Sequence, residues 1–391
     1  MNSTDKKNQT FIPYGRQWID EEDIQAVVDV LRSDWLTTGP KVGEFEQVLA
    51  NFVDAKKAVA VSNGTAALHA AVHAIGVKPS DEVILSPITF AATANAVVFE
   101  GGTPIFTDVD PNTLLIDPSR VESQINPSTK AIIAVDYAGQ PCDYDALRQI
   151  AKKHHIFLIA DGCHALGAQY KGRKVGTLAD LTVFSFHPVK HITTGEGGMI
   201  TTDDIELTER MCQFRNHGIS MDHDQREKQG SWIYEMTELG YNYRITDIQC
   251  ALGMSQIAKL PVWIARRQEI ARCYDTAFSE MPGIEPLGIK EYVSHAYHLY
   301  VVKLDLSQLQ TNRSEIFSSL RAEGIGVNVH YIPVHLHPFY RKNFGTGPGL
   351  CPVAEAAYEQ ILSLPMYPYM SDQQVEIVIS AFEKIVGSSS K

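Results

Sequence analysis

The sequence has no apolar run long enough to cross a bilayer and no signal peptide at its start, which predicts a cytoplasmic protein without membrane contact. It is also short of positive charge, because 34 Lys and Arg residues stand against 46 Asp and Glu, a formal net charge of −12. Nucleic-acid binding needs a basic surface, so no nucleic-acid partner is expected. A few local donors could still hold a nucleotide diphosphate.

The chain equally lacks the spacings that build disulfide or metal sites. Its six cysteines are scattered and form no C-x-x-C pair, so neither a disulfide framework nor a zinc site is indicated. The histidine groups His154–His155 and His335–His337 lack the helical spacing with acidic partners that catalytic metal sites show. We therefore assign no metal.

The chain has enough hydrophobic residues to form a large core. With 391 residues, 44% of them hydrophobic, it is long enough for a large and a small domain. Apolar strands alternate with helical stretches from Ala58 to about Ile257, which predicts an α/β fold with a mostly parallel sheet covered on both faces. We predict a disordered tail over residues 1–12, a large domain over 13–262 and a small C-terminal domain over 263–391, beginning just after Pro261.

The most informative segment is SFHPVKHITTGEGG, Ser185 to Gly198, which places one lysine between a short apolar strand and a glycine-rich turn. The run LTVFSF before it is typical of a buried strand, and MITT after it resumes strand character. Lys190 is therefore predicted to lie in a tight loop directly after a strand of a rigid sheet. The glycines of this loop let another group approach the backbone. On this segment alone an ordinary solvated lysine remains the alternative.

Two further segments end apolar strands with residues suited to ligand contacts. In IFLIADGCHALG the apolar run stops at Asp161, and open α/β sheets bind ligands at the carboxyl ends of their strands. In AVAVSNGTAALHAAVHAIG a strand, a turn at Gly64 and Thr65, and a helix follow one another, and a helix N-terminus favours phosphate. Ordinary turn chemistry at Asn63–Gly64 is the alternative for the second segment.

A phosphate site, an acid at a strand end and a later lysine together meet the needs of pyridoxal 5′-phosphate. The chain resembles the DegT/DnrJ/EryC1/StrS family of sugar aminotransferases over the range from about Tyr14 to about Ile385. The resemblance rests on SFHPVKHITTGEGG, SPITFAATANA from Ser86, VDYAGQP from Val135 and HYIPVHLHPFY from His330. Within the family these runs look most like the transaminases of pseudaminic acid synthesis.

The resemblance implies fold type I of the pyridoxal-phosphate enzymes, the aspartate aminotransferase fold, with a smaller C-terminal α+β domain. It also implies a nucleotide-linked keto-sugar as substrate and an amino-acid donor, expected to be glutamate. Lys190 would form the internal aldimine, and Asp161 would contact the pyridine nitrogen. The other implied cofactor contacts are Gly64, Thr65, Ala66 and Ser185 around the phosphate, Phe90 on the ring face, and His164 near the 3-hydroxyl. Without the resemblance, the last two could be ordinary core residues.

The segment LGYNYRITDIQCALG, Leu239 to Gly253, matches the family element GxNxRxxDxQA. The resemblance implies that Asn242 reaches the cofactor phosphate of the other subunit, and hence a homodimer with shared active sites. From the residues alone, Asn242 could be a turn residue, and Arg244 with Asp247 a surface pair at a helix start.

The resemblance also implies a substrate pocket in three segments that contain aromatic residues. Its expected members are Tyr14, Asp34, Trp35, Leu36, Thr37, His330 and Tyr331. A core or interface position is the alternative for the aromatic members.

Two other functions compete with a sugar transaminase. A regulatory relative that keeps only the fold has no need of a nucleophile, so Lys190 argues against it. Dehydratases of the same family replace this lysine by histidine. Here Lys190 is present with His191 beside it, so the dehydratase is disfavoured as well.

Overall fold

We analysed a computed structural model of the chain, which describes residues 11–220 and 230–387. Its helices and strands alternate through the first two thirds of the chain. The helices are α1 (Glu21–Leu31), α2 (Pro40–Val53), α3 (Gly64–Ala74), α4 (Ala92–Phe99), α5 (Pro118–Gln124), α6 (Tyr144–His154), α7 (Ile205–Phe214), α8 (Asp247–Phe278), α9 (Arg313–Ala322), α10 (Pro338–Phe344), α11 (Pro352–Gln360) and α12 (Asp372–Gly387). The strands are β1 (Lys57–Val61), β2 (Glu82–Leu85), β3 (Thr103–Phe106), β4 (Thr129–Val135), β5 (Phe157–Asp161), β6 (Gln169–Tyr170), β7 (Arg173–Lys174), β8 (Leu181–Ser185), β9 (Gly198–Thr202), β10 (Ile284–Pro286), β11 (Val293–Ser294), β12 (Tyr300–Leu304) and β13 (Ile361–Leu364).

A mostly parallel sheet organises the large part of the molecule. Its order is β1-β9-β8-β5-β4-β2-β3, with β9 antiparallel to both neighbours and the other pairs parallel. The central strands are apolar and buried along nearly their whole length, because helices cover both faces of such a sheet. The predicted α/β architecture is confirmed.

The carboxyl ends of the parallel strands meet at one edge of this sheet. Asp161 is the last residue of β5, and it pairs with Val135 on one side and Val183 on the other. Ser185 ends β8 immediately beyond that level, and the loop that carries Lys190 follows it. The topology therefore gathers the residues that the sequence marked at separate strand ends.

The C-terminal part builds a second core on the three-stranded sheet β10-β12-β13, packed against α9 and α12. Helix α8 joins the two cores. Thr246 and Gln249 form a capping box at its start, and the helix continues through Pro261 to Phe278. The predicted boundary after residue 262 thus lies inside one helix. Along α8, the apolar contacts pass from the first core to the second between Ile264 and Ile270.

The predicted disordered tail over residues 1–12 needs a correction at its end. Residues 1–10 lie outside the described part of the chain. Ile12, however, pairs with Ile325 and is 2% exposed, because its side chain packs into the second core. The ordered chain therefore includes Ile12.

No helix within residues 11–220 and 230–387 is both long and apolar enough to cross a membrane. In the same ranges, no group of three or more His, Cys, Asp or Glu side chains is arranged to hold a metal ion.

Candidate active site

Lys190 lies in the loop between β8 and β9, at the carboxyl edge of the large sheet. The loop is closed by two backbone hydrogen bonds, from the Phe186 N–H to the Gly197 carbonyl and from the Thr194 N–H to the Phe186 carbonyl. The side chain of Lys190 points inward, and its Nζ lies 3.5 Å from Nε2 of His298. Loss of water around the amine lowers the pKa of Lys190, and the charge of nearby Asp161 acts in the opposite direction. No carboxylate of the described residues lies within ion-pair distance of Nζ.

Asp161 is held by contacts to both of its carboxylate oxygens. It is 5% exposed at the end of β5. Thr93 donates its hydroxyl to Oδ2 at 2.7 Å, and the backbone N–H of Cys163 donates to Oδ1 at 3.2 Å. Because the strand end and the helix α4 fix these partners, the carboxylate has a defined orientation.

A group of buried histidines surrounds Lys190. The rings of His164 and His298 lie 4.3 Å apart, and those of His191 and His298 lie 5.7 Å apart. Burial lowers the pKa of all three well below the usual range, so they are neutral imidazoles at neutral pH. Nδ1 of each ring is buried without a hydrogen-bond partner among the described residues.

Tyr331 joins this group from the C-terminal part of the chain. Its hydroxyl lies 3.0 Å from Nε2 of His164, and the two rings are stacked with 6.1 Å between centroids. The sequence analysis assigned Tyr331 to the substrate pocket. The contact with His164 places it beside the predicted cofactor residues as well.

The predicted phosphate site forms where β1 runs into α3. Asn63 caps the helix by accepting the Ala66 N–H at 2.8 Å, so that amide already has a partner. Gly64 packs directly on the end of β8, since a Cβ there would lie 2.8 Å from Cβ of Ser185. Gly64, Thr65 and Ser185 are therefore neighbours, with the first amides of α3 free of intrahelical partners.

Phe90 stands at the opening of the same site. Its side chain is 63% exposed, although the residue before it in the chain is buried and the residue after it is partly buried. Its ring lies 6.3 Å from that of Tyr331. An exposed aromatic ring beside a buried polar cluster is placed to cover a planar ligand.

Tyr14 and His330 lie against each other, with 5.2 Å between ring centroids. The His330 imidazole is held by Ser363 at 2.9 Å and Asn328 at 3.2 Å. Burial lowers the pKa of His330 to about 4, so its ring is neutral at neutral pH. His330 also precedes Tyr331, which connects this pair to the histidine group around Lys190.

The remaining predicted residues lie on an exposed surface at the start of α8. Asp34, Trp35, Leu36 and Thr37 are all exposed. The Leu36 carbonyl accepts the Asp247 N–H at 3.1 Å, and Thr37 pairs with Thr246. Asn242, a few residues before the same helix start, is exposed too. The contacts of this segment run to α8 rather than to Lys190.

The sequence analysis missed His298 and Thr93, which are the direct neighbours of the two predicted catalytic residues. His298 lies 108 residues from Lys190 in the chain, and Thr93 lies 68 residues from Asp161. Thr93 falls within the run SPITFAATANA, which the resemblance had already marked. No local pattern in the sequence indicates that His298 belongs to the active site.

A partly buried lysine after a central strand, an acid at the neighbouring strand end and a glycine-bounded helix start define a fold type I enzyme that uses pyridoxal 5′-phosphate. Comparison with known proteins agrees with this class. The model of the DegT/DnrJ/EryC1/StrS aminotransferase family matches residues 17–383. The spore coat polysaccharide biosynthesis protein SpsC of Bacillus subtilis is 45% identical over 97% of this chain and 98% of its own length.

Two solved structures have the same fold over nearly the whole chain. The sugar aminotransferase Spr1654 of Streptococcus pneumoniae, solved in its PMP form, has a TM-score of 0.91 and 35% identity and covers 96% of this chain and 99% of its own. Helicobacter pylori PseC, an aminotransferase of pseudaminic acid biosynthesis, has a TM-score of 0.90 and 34% identity and covers 97% and 100% of the two chains.

The chain belongs to the DegT/DnrJ/EryC1/StrS aminotransferase family. At this level it is a sugar aminotransferase dependent on pyridoxal 5′-phosphate, and the predicted reaction class and cofactor are confirmed.

Proposed function

We propose that the protein transfers an amino group from L-glutamate to the C4 ketone of a UDP-linked 4-keto-6-deoxy-N-acetylhexosamine. The product would be UDP-4-amino-4,6-dideoxy-N-acetyl-β-L-altrosamine, an intermediate of pseudaminic acid synthesis. The similarity to Helicobacter pylori PseC supports this substrate. The reaction would take place in solution in the cytoplasm.

A second candidate is the amination of a different UDP- or dTDP-linked keto-sugar. The higher identity to Bacillus subtilis SpsC, named for spore coat polysaccharide synthesis, favours it. Both candidates use the same cofactor chemistry and differ in the sugar.

The observation that carries the proposal is the partly buried amine of Lys190 among neutral imidazoles. A lysine in water is protonated at neutral pH and can neither attack a carbonyl nor accept a proton. Burial lowers the pKa of Lys190, and the three histidines around it add hydrogen-bonding atoms without adding charge. Lys190 is therefore suited to act first as nucleophile and then as base.

The residues of the site fit pyridoxal 5′-phosphate. Around Lys190, Nδ1 of His164 is buried without a partner, which leaves a polar atom for a ligand oxygen. The close packing of Gly64 on Ser185 leaves no room for a side chain at the start of α3, where a phosphate would meet backbone amides. Asp161 would contact the ring nitrogen, and Phe90 would cover the ring face. When bound, the cofactor supplies an electron sink for the carbon from which a proton is removed.

Each protein group then has a stated task. Nζ of Lys190 removes the α-proton of the amino donor, and in the second half of the reaction it delivers a proton to C4 of the sugar. The Asp161 carboxylate would hold the protonated ring nitrogen of the bound cofactor through an ionic hydrogen bond. His164 and Tyr331, whose Nε2 and hydroxyl lie 3.0 Å apart, would line the pocket beside the cofactor.

We propose further that the enzyme is a homodimer with shared sites. Asn242 is exposed, and large apolar side chains near it are exposed too, including Trp232 at 86% and Leu239 at 73%. Such a surface is typical of a protein interface. The segment Asp34–Thr37 lies beside the same helix start, so a second subunit could bring both into one site.

The sugar nucleotide would then lie between the two subunits. Tyr14, His330 and Tyr331 adjoin the predicted cofactor pocket of their own subunit. Trp35 and its neighbours would come from the partner, where they offer a stacking face and backbone donors to a charged ligand.

The test is an assay with purified protein, L-glutamate and a set of UDP- and dTDP-linked 4-keto sugars, followed by product mass and by the absorbance of the bound cofactor. We expect turnover with the UDP-linked precursor of the altrosamine product. Lys190→Ala is the matched control, since it should bind the cofactor without covalent attachment and show no turnover. Turnover only with a different sugar would favour the second candidate, and normal activity of Lys190→Ala would refute the mechanism.

A further inference from the structure

Two buried hydroxyl groups lead from the start of α4 to the carboxylate of Asp161. The Thr93 hydroxyl lies 2.7 Å from Oδ2 of Asp161, and the Thr89 hydroxyl lies 2.7 Å from that of Thr93. Thr89 is 3% exposed and Thr93 is 1% exposed. Neither threonine has a task in the function proposed above.

The chemistry of the groups sets the direction of these hydrogen bonds. An ionised carboxylate can only accept, so the Thr93 hydroxyl donates to Asp161. A hydroxyl has one proton, so the bond between the two threonines must have Thr89 as its donor. The order is therefore Thr89 to Thr93 to Asp161, and each bond polarises the next.

The same turn of chain also positions Phe90. The backbone N–H of Thr93 bonds to the Phe90 carbonyl at 3.2 Å, which fixes the turn that starts α4. Thr89 and Thr93, four residues apart, face the strand ends, while Phe90 between them is exposed. The short segment from Thr89 to Thr93 thus places the Phe90 ring at the pocket and the Thr93 hydroxyl against Asp161.

We propose that Thr93, supported by Thr89, is a positioning residue that orients the Asp161 carboxylate. This inference rests on the proposed contact of Asp161 with the cofactor ring nitrogen. A hydrogen bond to a charged acceptor is strong and directional, so the Thr93 hydroxyl holds the carboxylate in one orientation.

The decisive variants are Thr93→Val, which removes the donor at nearly the same volume, and Thr93→Ser, which keeps it. We expect Thr93→Val to slow the single-turnover reaction with glutamate about 10- to 100-fold, the range for one hydrogen bond to a charged group. We also expect it to weaken binding of pyridoxal phosphate by the cofactor-free protein and to shift the pH dependence of the absorbance of the bound cofactor. Thr93→Ser should restore all three readouts, and Thr89→Val should give smaller changes in the same direction.

Thr107→Val is the matched control. Thr107 is also fully buried, and its hydroxyl has no partner among the described residues, so its removal should change none of the three readouts. If Thr107→Val and Thr93→Val had equal effects, any buried threonine-to-valine change would have the same consequence. That result would overturn the inference.

Asp161→Asn separates this inference from the function on which it rests. If Thr93 acts through Asp161, adding Thr93→Val to Asp161→Asn should cause no further loss. An impaired Asp161→Asn with a normal Thr93→Val would overturn the inference alone, and a normal Asp161→Asn would overturn the proposed role of Asp161. If Thr93→Val does not fold, Thr93→Ala and Thr89→Val provide the same comparison.

Discussion

Asp136 provides a test of how burial controls charge next to the active site. It follows β4, and its backbone N–H donates to the Asp161 carbonyl at 3.1 Å. The side chain is 0% exposed, and burial raises its pKa to about 7, although the Cys142 N–H and the Tyr144 hydroxyl both donate to Oδ1. Oδ2 has no partner among the described residues, which is where the proton of the neutral acid would reside.

The sign of the effect on stability follows from the two protonation states. In the unfolded chain the carboxyl has the ordinary aspartate pKa of 3.8, whereas in the folded protein its pKa is about 7. Between these values the folded state binds more protons, so rising pH lowers the free energy of unfolding. At about 1.4 kcal/mol per pKa unit, the total decrease in the free energy of unfolding is on the order of 4 kcal/mol. This decrease is complete above about pH 7.

The perturbation is Asp136→Asn, whose amide oxygen can still accept from Cys142 and Tyr144. Its buried NH₂ group carries a cost that does not change with pH. The free energy of unfolding of the variant, minus that of the wild type, should therefore rise by about 2 kcal/mol between about pH 5.5 and about pH 8. Urea unfolding of the cofactor-free protein, at one protein concentration and with refolding checked, measures this difference.

The control is Asp54→Asn, at an exposed carboxylate after α2 where the backbone is left-handed and asparagine is tolerated. It removes one charge without changing a buried group, so its difference from the wild type should vary far less with pH. A difference for Asp136→Asn that stays constant over this pH range would refute the reasoning, because the carboxyl would then titrate alike in the folded and unfolded states.

Two further predictions concern the assignment of residues to subunits and to substrates. Mixing Asn242→Ala with Lys190→Ala protein should restore part of the activity, because one site of the mixed dimer would contain both intact residues; measured turnover that stays at the level of the separate variants would contradict shared sites. Tyr14→Ala should raise KM for the keto-sugar while the half-reaction with glutamate keeps its rate, because Tyr14 lies beside His330 rather than Lys190. Equal losses in both half-reactions, measured by stopped-flow absorbance, would show instead that Tyr14 supports the cofactor or the fold.

The parts of the site that lie at strand ends could be predicted from the sequence. Apolar runs that stop at Asp161 and before Lys190 are local patterns, and parallel sheets bring such ends to one edge. The glycine turn at Gly64 is also local, and the structure places it against Ser185, which was predicted to contact the same phosphate. These features depend on short stretches of chain, so periodicity and turn chemistry were sufficient to find them.

The contacts between distant segments could not be predicted in this way. His298 and Tyr331 reach the Lys190 region from after α8, and a histidine before a strand has the same appearance whether or not it contacts a lysine. Ile12 was placed in a polar tail because ten hydrophilic residues precede it, yet tertiary packing buries it. The predicted domain boundary after residue 262 lies within α8, because this 32-residue helix continues from Asp247 through Pro261 to Phe278.

The proposed division of the site between two kinds of segment would explain how related enzymes can share a reaction and differ in sugar. Lys190, Asp161 and Ser185 are fixed at the edge of a buried sheet, where one substitution disturbs neighbouring strands and the orientation of the acid. Trp35 and Leu36 lie on an exposed segment, where side chains can change at little cost to the fold. Substitutions in this segment should therefore alter the choice of sugar while the half-reaction with the amino donor persists, whereas substitutions at the sheet edge should impair both half-reactions.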